Sequence, residues 1–424
     1  MLIKGGRIID PAKNRDDSAD ISIKDGRIHE ILSPGNDLPP DDDVIDATGL
    51  WVLPGIIDMH AHLREPGYEY KEDIASGSLA AAAGGITTVA CMANTDPVND
   101  NAAVTQYIIK KASSIGMVRI LPVGAITRGL KGRELSEMGL MKLSGIVAVS
   151  DDGRPVESAA LLKRALEYAS TFSLPVILHC EDKDLAAKGV MNEGALSSML
   201  GLSGIPSIAE ETMISRDVLV AHYADVPVHI THISTKGSLE IIRGAKQLGI
   251  RATCDTTPHH LLLTEDDVRT YDTNYKMNPP LRHEDDRHAL IEGIRMNLID
   301  CIATDHAPHA RDEKALDFDL APFGIIGFQT LLPALMKIHL DYDIDFSQLL
   351  ACVTKNPAKI LGIDGGSLGE GSRADVTLFD PKPVWTLTED MIVSKSKNTP
   401  FIGWTFTGRV VRTIVEGNTV YQAA

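Results

Sequence analysis

The sequence predicts an α/β protein, a (β/α)8 TIM barrel with a small β-sandwich module formed by both chain termini. Three observations predict it. The chain ends are rich in short β segments, the middle alternates between short apolar strands and helix-like stretches, and polar residues of metal-binding type follow several of the middle strands. Eight β/α units in roughly 310 residues are what a TIM barrel with insertions requires.

The two chain ends form the first and last elements of this prediction. Residues 1–54 contain LIKGGRIID, ADISIKDGRI and VIDATGLWVL, which are apolar segments separated by Gly, Asp and Pro clusters, and residues 365–424 contain similar segments. We expect residues 1–54 and 365–424 to combine into one β-sandwich module, and residues 55–364 to form the barrel domain.

The middle of the chain supplies eight buried-looking strand candidates, and helix-like stretches such as ESAALLKRALEYAS lie between most of them. The candidates are residues 56–62, 87–94, 119–126, 146–152, 175–181, 226–234, 251–260 and 299–306. A doubly wound open sheet is the alternative fold, but no GxGxxG motif follows the first strand of the series.

Composition restricts the class of function. The chain has 424 residues, of which 44% are hydrophobic and 23% charged, as in ordinary globular enzymes. A formal net charge of −17 disfavours binding to nucleic acid or to a membrane, so an anionic ligand would need local cations. Five cysteines without a CxxC pair, and an N-terminus without a long apolar run, favour the cytoplasm.

Residues of metal-binding type lie at the ends of the predicted strands. His60 and His62 are two apart on a strand, so both side chains point to the same face, the barrel interior. The others are Asn94, Asp152, His179, His232 and Asp305. Strand ends of this kind meet at the barrel mouth, where barrel enzymes build their active sites.

Four imidazoles and two carboxylates are enough for two divalent cations that share one bridging carboxylate. Zinc suits a His/Asp ligand set best, although manganese or cobalt could occupy it. Two ions about 3.5–4 Å apart can hold a bridging hydroxide and polarise a carbonyl oxygen at the same time. The ligand set predicts hydrolytic rather than redox chemistry.

A series of motifs extends over nearly the whole chain. PGIIDMHAHLREPG (54–67) and ATDHAPH (303–309) are the most specific pair. The others are GGITTVACMANTDP (84–97), VSDDG (149–153), LHCED (178–182), HITHIST (229–235), TPHHLLLT (257–264), KMNPPLR (276–282), APFGI (321–325) and NPAKILGI (356–363). Together they resemble the amidohydrolase superfamily, and within it the dihydroorotases of the bacterial class I type.

The resemblance implies two zinc ions per subunit, the second more easily lost, with a role for each ligand. The first ion would be held by His60, His62 and Asp305, and the second by His179 and His232, with Asp152 as the bridge. Many relatives, hydantoinases among them, bridge with a carboxylated lysine instead. Asp151, which has the opposite strand parity, is the alternative bridge.

The implied reaction is the reversible hydrolysis of (S)-dihydroorotate to N-carbamoyl-L-aspartate, a step of de novo pyrimidine biosynthesis. Asp305 would be the catalytic general base that takes the proton of the hydroxide and delivers it to the leaving ring nitrogen. Arg64 offers a planar fork of donors to the substrate carboxylate. The other implied substrate contacts are His62, Asn94 and His309, with Asn278 and the backbone of Phe323 and Gly324 at the ring amides.

Two other functions stay open. One is a different cyclic-amide hydrolase, such as an allantoinase or a hydantoinase, which Arg64 and the aspartate at the bridging position disfavour. The other is a non-catalytic partner of aspartate carbamoyltransferase, which the complete metal-ligand set disfavours. An association of the active enzyme with that partner stays open, and we expect a homo-oligomer, a dimer.

Four further histidines are expected to have supporting roles. His229 has the parity opposite to His232, so we expect it outside the barrel. His306 lies beside Asp305 with the wrong parity for a ligand. His259 and His260 follow the seventh strand and are expected to support the loop there.

Overall fold

The computed structural model describes residues 1–33 and 43–423. Residues 34–42 and 424, which belong to the predicted terminal segments, lie outside the described residues. The described part of the chain contains eighteen strands, numbered in chain order. They are β1 (Leu2–Asp10), β2 (Arg15–Lys24), β3 (Arg27–Leu32), β4 (Val44–Asp46), β5 (Trp51–Pro54), β6 (Ile56–Ala61), β7 (Ile86–Cys91), β8 (Arg119–Gly124), β9 (Ala148–Ser150), β10 (Val176–Leu178), β11 (Met191–Asn192), β12 (Gly204–Ile205), β13 (Val228–Ile230), β14 (Ala252–Thr256), β15 (Cys301–Ile302), β16 (Val376–Thr386), β17 (Thr405–Val415) and β18 (Asn418–Gln422).

Fourteen α-helices occur in the same described ranges, and none of them has the length and apolar character needed to cross a membrane. They are α1 (Ile74–Ala83), α2 (Ala102–Ile115), α3 (Met138–Ser144), α4 (Ala159–Ser170), α5 (Lys183–Ala186), α6 (Ala195–Leu200), α7 (Ile208–Ala224), α8 (Lys236–Gln247), α9 (Pro258–Leu262), α10 (Glu284–Arg295), α11 (Arg311–Lys314), α12 (Leu331–Tyr342), α13 (Phe346–Ala351) and α14 (Lys355–Leu361).

The central sheet is a parallel barrel of eight strands in the order β6-β7-β8-β9-β10-β13-β14-β15. A parallel bridge between Ala61 and His306 joins the first strand to the end of the last, and the N–H of His62 donates to the carbonyl of His306 at 2.8 Å. Each predicted strand overlaps one barrel strand. The predicted TIM barrel is therefore confirmed, and the alternative of an open sheet is wrong.

The helices around the barrel follow from their sequences, as α2 illustrates. The side chain of Asn101 accepts the N–H groups of Ala103 and Val104 and so caps its first turn. Val104, Ile108 and Ala112 are buried at a spacing of four residues, which places them on one helix face. Gly116 ends the helix in the left-handed conformation with φ 66°.

The lower end of the barrel is closed by apolar side chains. Ile57 and Met59 of β6 lie in one buried cluster with interior residues of the other strands and with Ala358 and Leu361 of α14. The predicted metal ligands lie above this cluster, towards the carboxyl ends of the strands.

Both chain termini join in a second, eight-stranded sheet. Its order is β18-β17-β16-β5-β1-β2-β3, with β4 paired to β1, and the antiparallel pairing of β5 with β16 connects the two ends of the chain. The sheet has its own buried core, in which Ile8 and Val52 pack with Val376 and Ile414. The predicted terminal β module is confirmed, and its limits at residues 54 and 364 stay a prediction.

Candidate metal centre

An irregularity in β6 turns His60 and His62 into the barrel. Ile57 and Met59 already face the interior, so strict alternation would turn His60 outward. The pairing register between β6 and β7 shifts between Asp58 and Ala61, as at a β-bulge. Because of this shift, both imidazoles follow Met59 into the upper half of the barrel.

The first pair of imidazoles meets two carboxylates. Nε2 of His60 lies 3.4 Å from Oδ1 of Asp152 and 3.5 Å from Oδ1 of Asp305. Nε2 of His62 lies 3.5 Å from Oδ2 of Asp152 and 2.9 Å from Oδ1 of Asp305. All four side chains are buried, so their polar atoms face one another rather than solvent.

The second pair of imidazoles lies on the other side of Asp152. Nδ1 of His179 and Nε2 of His232 are 3.7 and 3.5 Å from Oδ1 of Asp152, and 2.9 Å from each other. The structure thus brings all six predicted ligands together, with the Asp152 carboxylate between the two histidine pairs.

Three residues of the site adopt the left-handed backbone conformation that non-glycine residues rarely take. The φ values are 62° for Arg64, 40° for His232 and 45° for Asp305. Such a conformation costs roughly 1–3 kcal/mol and persists where the surrounding structure holds it in place. At His232 this conformation breaks the alternation of the strand, so the side chains of the adjacent residues Thr231 and His232 both face the site.

Hydrogen bonds fix the tautomers of the first histidine pair. Nδ1 of His62 lies 2.9 Å from Oδ1 of Asn94, which can only accept, and Nδ1 of His60 lies 2.7 Å from Oγ1 of Thr231. With the proton on Nδ1 in both rings, the Nε2 lone pairs point towards the carboxylates. This is the arrangement that a metal-binding imidazole requires.

Asp255 lies beneath the site and holds three groups. It accepts the N–H of His232 at 2.7 Å, the hydroxyl of Thr231 at 3.0 Å and Nε2 of His229 at 2.7 Å. His229 is in register with Ile177, a residue of the interior cluster. The prediction that His229 packs outside the barrel is therefore wrong, because the left-handed backbone of His232 breaks the parity on which it relied.

The two buried carboxylates favour the binding of positive charge in the site. Burial alone would lower the pKa of His60, but the charges of Asp152 and Asp305 raise it to about 10. Burial likewise opposes ionisation of Asp152, but the charge of His60 and the close approach of His232 hold its pKa well below the ordinary value. Protons or metal cations are needed to neutralise the negative charge of the two carboxylates.

The donor set fits a divalent metal. Nε2 of His60 and Oδ1 of Asp152 are buried without a hydrogen-bond partner among the described residues, which is costly unless something uses their lone pairs. Ligands about 2.0–2.1 Å from a tetrahedral zinc ion lie about 3.3 Å apart. The spacings of 3.4 and 3.5 Å from Nε2 of His60 to the two carboxylates are close to this value.

Asp151, the alternative bridge, lies outside this cluster. Its Oδ1 accepts the N–H groups of Ile126 and Thr127 at 2.7 and 3.0 Å, and the Thr127 hydroxyl donates to Oδ2. Burial raises the pKa of Asp151 to about 6. This carboxylate ties β9 to the end of β8, and the geometry favours Asp152 as the bridge.

A cationic pocket adjoins the metal centre. Arg64 donates through Nε to the carbonyl of Pro308 at 3.1 Å, and its Nη2 lies 3.3 Å from Nε2 of His309. Within residues 1–33 and 43–423, no carboxylate lies within ion-pair distance of Arg64. Burial, together with the charges of Arg64 and Lys71, lowers the pKa of His309, so a neutral imidazole lies beside the Arg64 guanidinium.

Asn278 approaches the site from the loop after α9. Its Nδ2 donates to Oε2 of Glu181 at 2.6 Å, while its Oδ1 is buried without a partner in the described chain. Lys183 contacts the other oxygen of Glu181 at 2.7 Å. The amide of Asn278 is therefore oriented, with its acceptor free for a ligand.

The loop at Phe323 and Gly324 borders the pocket. The N–H of Gly324 donates to the carbonyl of Lys276 at 2.9 Å, and its own carbonyl accepts from Lys314 at 3.2 Å. A Cβ at Gly324, where φ is 154°, would lie 2.5 Å from the Ala307 carbonyl oxygen. Its peptide groups are thus used within the protein, and its missing side chain allows the loop to approach His309.

The structure agrees with the expected supporting roles of His260 and His306, whereas it gives His259 no hydrogen-bond partner for Nε2 among the described residues. His260 contacts Oγ1 of Thr257 at 2.9 Å and the carbonyl of Pro279 at 3.0 Å, so it supports the loop as expected. His306 stacks on Phe328 at 3.8 Å, in a structural position. His259 is buried, with Nε2 unpartnered among the described residues.

Comparison with known proteins places the chain in a family. Its sequence matches the model of dihydro-orotase-like proteins over residues 49–238 and that of the amidohydrolase family over residues 337–421. The dihydroorotase of Geobacter metallireducens is 54% identical over 422 residues, which cover 100% of this chain and 99% of the relative. The chain belongs to the dihydroorotase family. The dihydroorotase of Geotalea daltonii is 52% identical to this chain, also over 422 residues that cover 100% of this chain and 99% of the relative.

Solved structures of the amidohydrolase type agree with the fold. L-hydantoinase (dihydropyrimidinase) from Arthrobacter aurescens superposes with a TM-score of 0.89 at 25% identity, covering 99% of this chain and 96% of that one. Dihydropyrimidinase from Brevibacillus agri gives a TM-score of 0.87 at 22% identity, with 99% and 95% covered, and supports the fold alone. The protein is an enzyme of the amidohydrolase family, which implies a divalent metal.

Sequence reasoning missed Thr231 and Asp255, which orient the proposed metal ligands, and Glu181, which orients Asn278. The signal for Asp255 was present, because a carboxylate inside the predicted seventh strand is costly to bury without partners. Thr231 gave no such signal, since a threonine in a strand is ordinary.

Proposed function

We propose that the protein is a dihydroorotase that reversibly hydrolyses (S)-dihydroorotate to N-carbamoyl-L-aspartate in de novo pyrimidine biosynthesis. The observation that carries the proposal is a buried cluster of four histidines and two aspartates beside an arginine without a carboxylate partner in the described chain. A cyclic amide with a carboxylate substituent is the substrate that needs both features. The full-length relatives named dihydroorotase support it.

We propose two zinc ions, the second more easily lost. His60, His62 and Asp305 would hold one ion, and His179 and His232 the other, with Asp152 reaching both. When bound, such cations polarise a carbonyl oxygen and lower the pKa of a water molecule to roughly 7.

Asp305 is proposed to carry the proton. Against the effect of burial, the charges of His60 and His62 lower the pKa of Asp305 to about 2, so the carboxylate is ionised at neutral pH. It can therefore take the proton of the attacking water. When the ring amide bond breaks, the same carboxylate returns the proton to the leaving nitrogen.

The substrate carboxylate is proposed to lie against Arg64, Asn94 and His309. Because Oδ1 of Asn94 is used by His62, its Nδ2 is the group left to donate. A carboxylate would give Arg64 the charge-assisted partner that it lacks.

The substrate ring is proposed to lie near His62, with Asn278 and Phe323 at its amides. Oδ1 of Asn278 is free to accept a ring N–H, and the missing side chain of Gly324 lets its loop pack directly against His309 at the edge of the pocket.

We also propose a homodimer in the cytoplasm and leave an association with aspartate carbamoyltransferase as a further proposal. All five cysteines, Cys91, Cys180, Cys254, Cys301 and Cys352, are buried thiols without a disulfide, which suits a reducing compartment.

The test is a comparison of substrates with the purified, zinc-loaded protein. We expect ring opening of dihydroorotate and closure of carbamoyl aspartate, with kcat/KM at least 100-fold above that for hydantoin or allantoin. Faster turnover of hydantoin or allantoin than of dihydroorotate would overturn the assignment.

A further inference from the structure

A segment of the terminal module reaches the barrel mouth. Residues 394–398, here called the bridging segment, lie in the connection between β16 and β17 of the terminal sheet. Lys395 donates through Nζ to the carbonyl of Glu69 at 2.7 Å, and Ser396 donates to the carbonyl of Lys71 at 2.6 Å. The bridging segment thus binds the loop that follows β6 and carries Arg64.

The last residue of the segment, Asn398, binds the opposite side of the pocket. Its Oδ1 accepts the N–H of His309 at 3.0 Å. Its Nδ2 donates to the carbonyls of Ala307 and Gly324, each at 3.0 Å. The Asn398 side chain is 3% exposed. Both donors and the acceptor of this amide are therefore used, with no solvent to replace them.

These contacts connect two loops that are separate in sequence. Ala307 and His309 follow β15, whereas Gly324 lies on the later loop, and no regular secondary structure pairs His309 with Gly324. A Cβ at Gly324 would lie 2.7 Å from Cδ2 of His309, so the two loops touch at the pocket. The two loops also pair directly through their backbones, since the N–H of Ala307 donates to the carbonyl of Ile325 at 2.9 Å and a parallel bridge joins His306 to Ile325. The Asn398 amide extends this connection to His309 and Gly324, beyond the point where the pairing ends.

We infer that Asn398, a residue of the terminal module, is a positioning residue for the substrate-carboxylate pocket. It holds the backbone of His309 and the loop of Gly324 at the spacing that the ring and its carboxylate need. It touches neither the metal ligands nor the reacting atoms, so it acts on substrate binding rather than on the chemical step. This inference rests on the proposed function.

The test compares Asn398→Ala with the wild type and with Asn356→Ala. Asn356 is a matched control, because its side chain also donates to a backbone carbonyl, that of Asp300 at 2.7 Å, but at the lower end of the barrel. In Asn398→Ala we expect KM for dihydroorotate to rise at least tenfold, with kcat within threefold and zinc content unchanged. Asn356→Ala should leave KM within twofold of the wild type.

A second variant and a second readout keep the inference open to refutation. Asn398→Ser can keep one of the three hydrogen bonds, so its KM should lie between those of the wild type and Asn398→Ala. If the alanine variant does not fold, the KM of the serine variant tests the inference. Amide hydrogen exchange of residues 306–310 and 322–326 should accelerate at least tenfold, while that of residues 229–235 stays unchanged.

An unchanged KM and unchanged exchange in a folded, zinc-loaded variant would overturn the inference. A wild-type protein that does not turn over dihydroorotate would instead overturn the proposed function. In that case the exchange measurement alone would decide whether Asn398 holds the two loops.

Discussion

Asp255 holds the backbone of His232, whose N–H donates to Oδ1 of the carboxylate at 2.7 Å. The other oxygen of Asp255 accepts a hydrogen bond from the Thr231 hydroxyl at 3.0 Å. The same hydroxyl oxygen accepts a hydrogen bond from Nδ1 of His60 at 2.7 Å. One buried carboxylate therefore fixes the left-handed backbone of one proposed metal ligand and the ring orientation of another, on opposite sides of Asp152.

Replacement of Asp255 should weaken metal binding. In Asp255→Asn one acceptor oxygen becomes an amide nitrogen, which cannot accept from Thr231 or His229. Loss of such an orienting partner typically lowers metal affinity about 10–100-fold. Competition for zinc with a chelator of known affinity measures this. The control is Asp300→Asn, whose carboxylate accepts the N–H of Cys254 further down the barrel and should change the affinity less than threefold. Wild-type affinity in Asp255→Asn would contradict the role.

Asp305 is expected to be essential for turnover. Asp305→Asn keeps the shape of the side chain but cannot accept a proton, so kcat should fall by about 10²–10⁴, the usual contribution of a general acid or base. Zinc content must be measured in the same preparation, because Asp305 is also a proposed ligand. A variant that keeps two zinc ions and normal kcat would refute the proton-transfer role.

Arg64 is expected to act mainly on substrate binding. Arg64→Ala removes the charge-assisted hydrogen bonds to the substrate carboxylate, worth roughly 1.5–3 kcal/mol. We therefore expect KM for dihydroorotate to rise about 10–100-fold. Arg128→Ala is the matched control, since Arg128 is half exposed and paired with Glu134 and Glu137 away from the metal ligands. An unaltered KM in Arg64→Ala would exclude the contact.

The pH dependence of stability should report on Asp217. Burial raises the pKa of this carboxyl to about 6, although Arg216 lies 2.6 Å away. Between about pH 4 and pH 6 the folded state therefore binds a proton that the unfolded state has lost. This stabilising contribution is fully present below about pH 4 and is lost as the pH rises through 6.

The variant Asp217→Asn lacks this titration. Its free energy of unfolding, relative to that of the wild type, should increase by about 2–3 kcal/mol from pH 4 to pH 7. Urea denaturation of both proteins across this range measures the difference. A constant difference would show that the Asp217 carboxyl titrates normally.

The sequence predicts the barrel and the proposed ligands because both leave local signals. Apolar strands recur eight times along the chain, five of them ending in the proposed His or Asp ligands, and the barrel collects their carboxyl ends. The distinction between Asp151 and Asp152 also followed from parity, and the structure separates the two carboxylates as parity predicts.

Parity fails where the backbone departs from a regular strand. The shift between Asp58 and Ala61 and the left-handed backbone of His232 change which side chains face inward, and neither leaves a signal in one sequence. This is why His229 was placed on the wrong side. Asn398 was missed for a different reason, because its partners lie more than 70 residues away along the chain.

The central claim is that four histidines and two aspartates hold divalent cations needed for turnover. The most direct measurement is stepwise return of zinc to chelator-treated protein, with bound metal and dihydroorotate turnover recorded together. We expect turnover to be lost in the metal-free protein and to return as zinc binds, reaching its plateau near two ions per subunit. Full turnover with less than a tenth of an ion per subunit would contradict the claim.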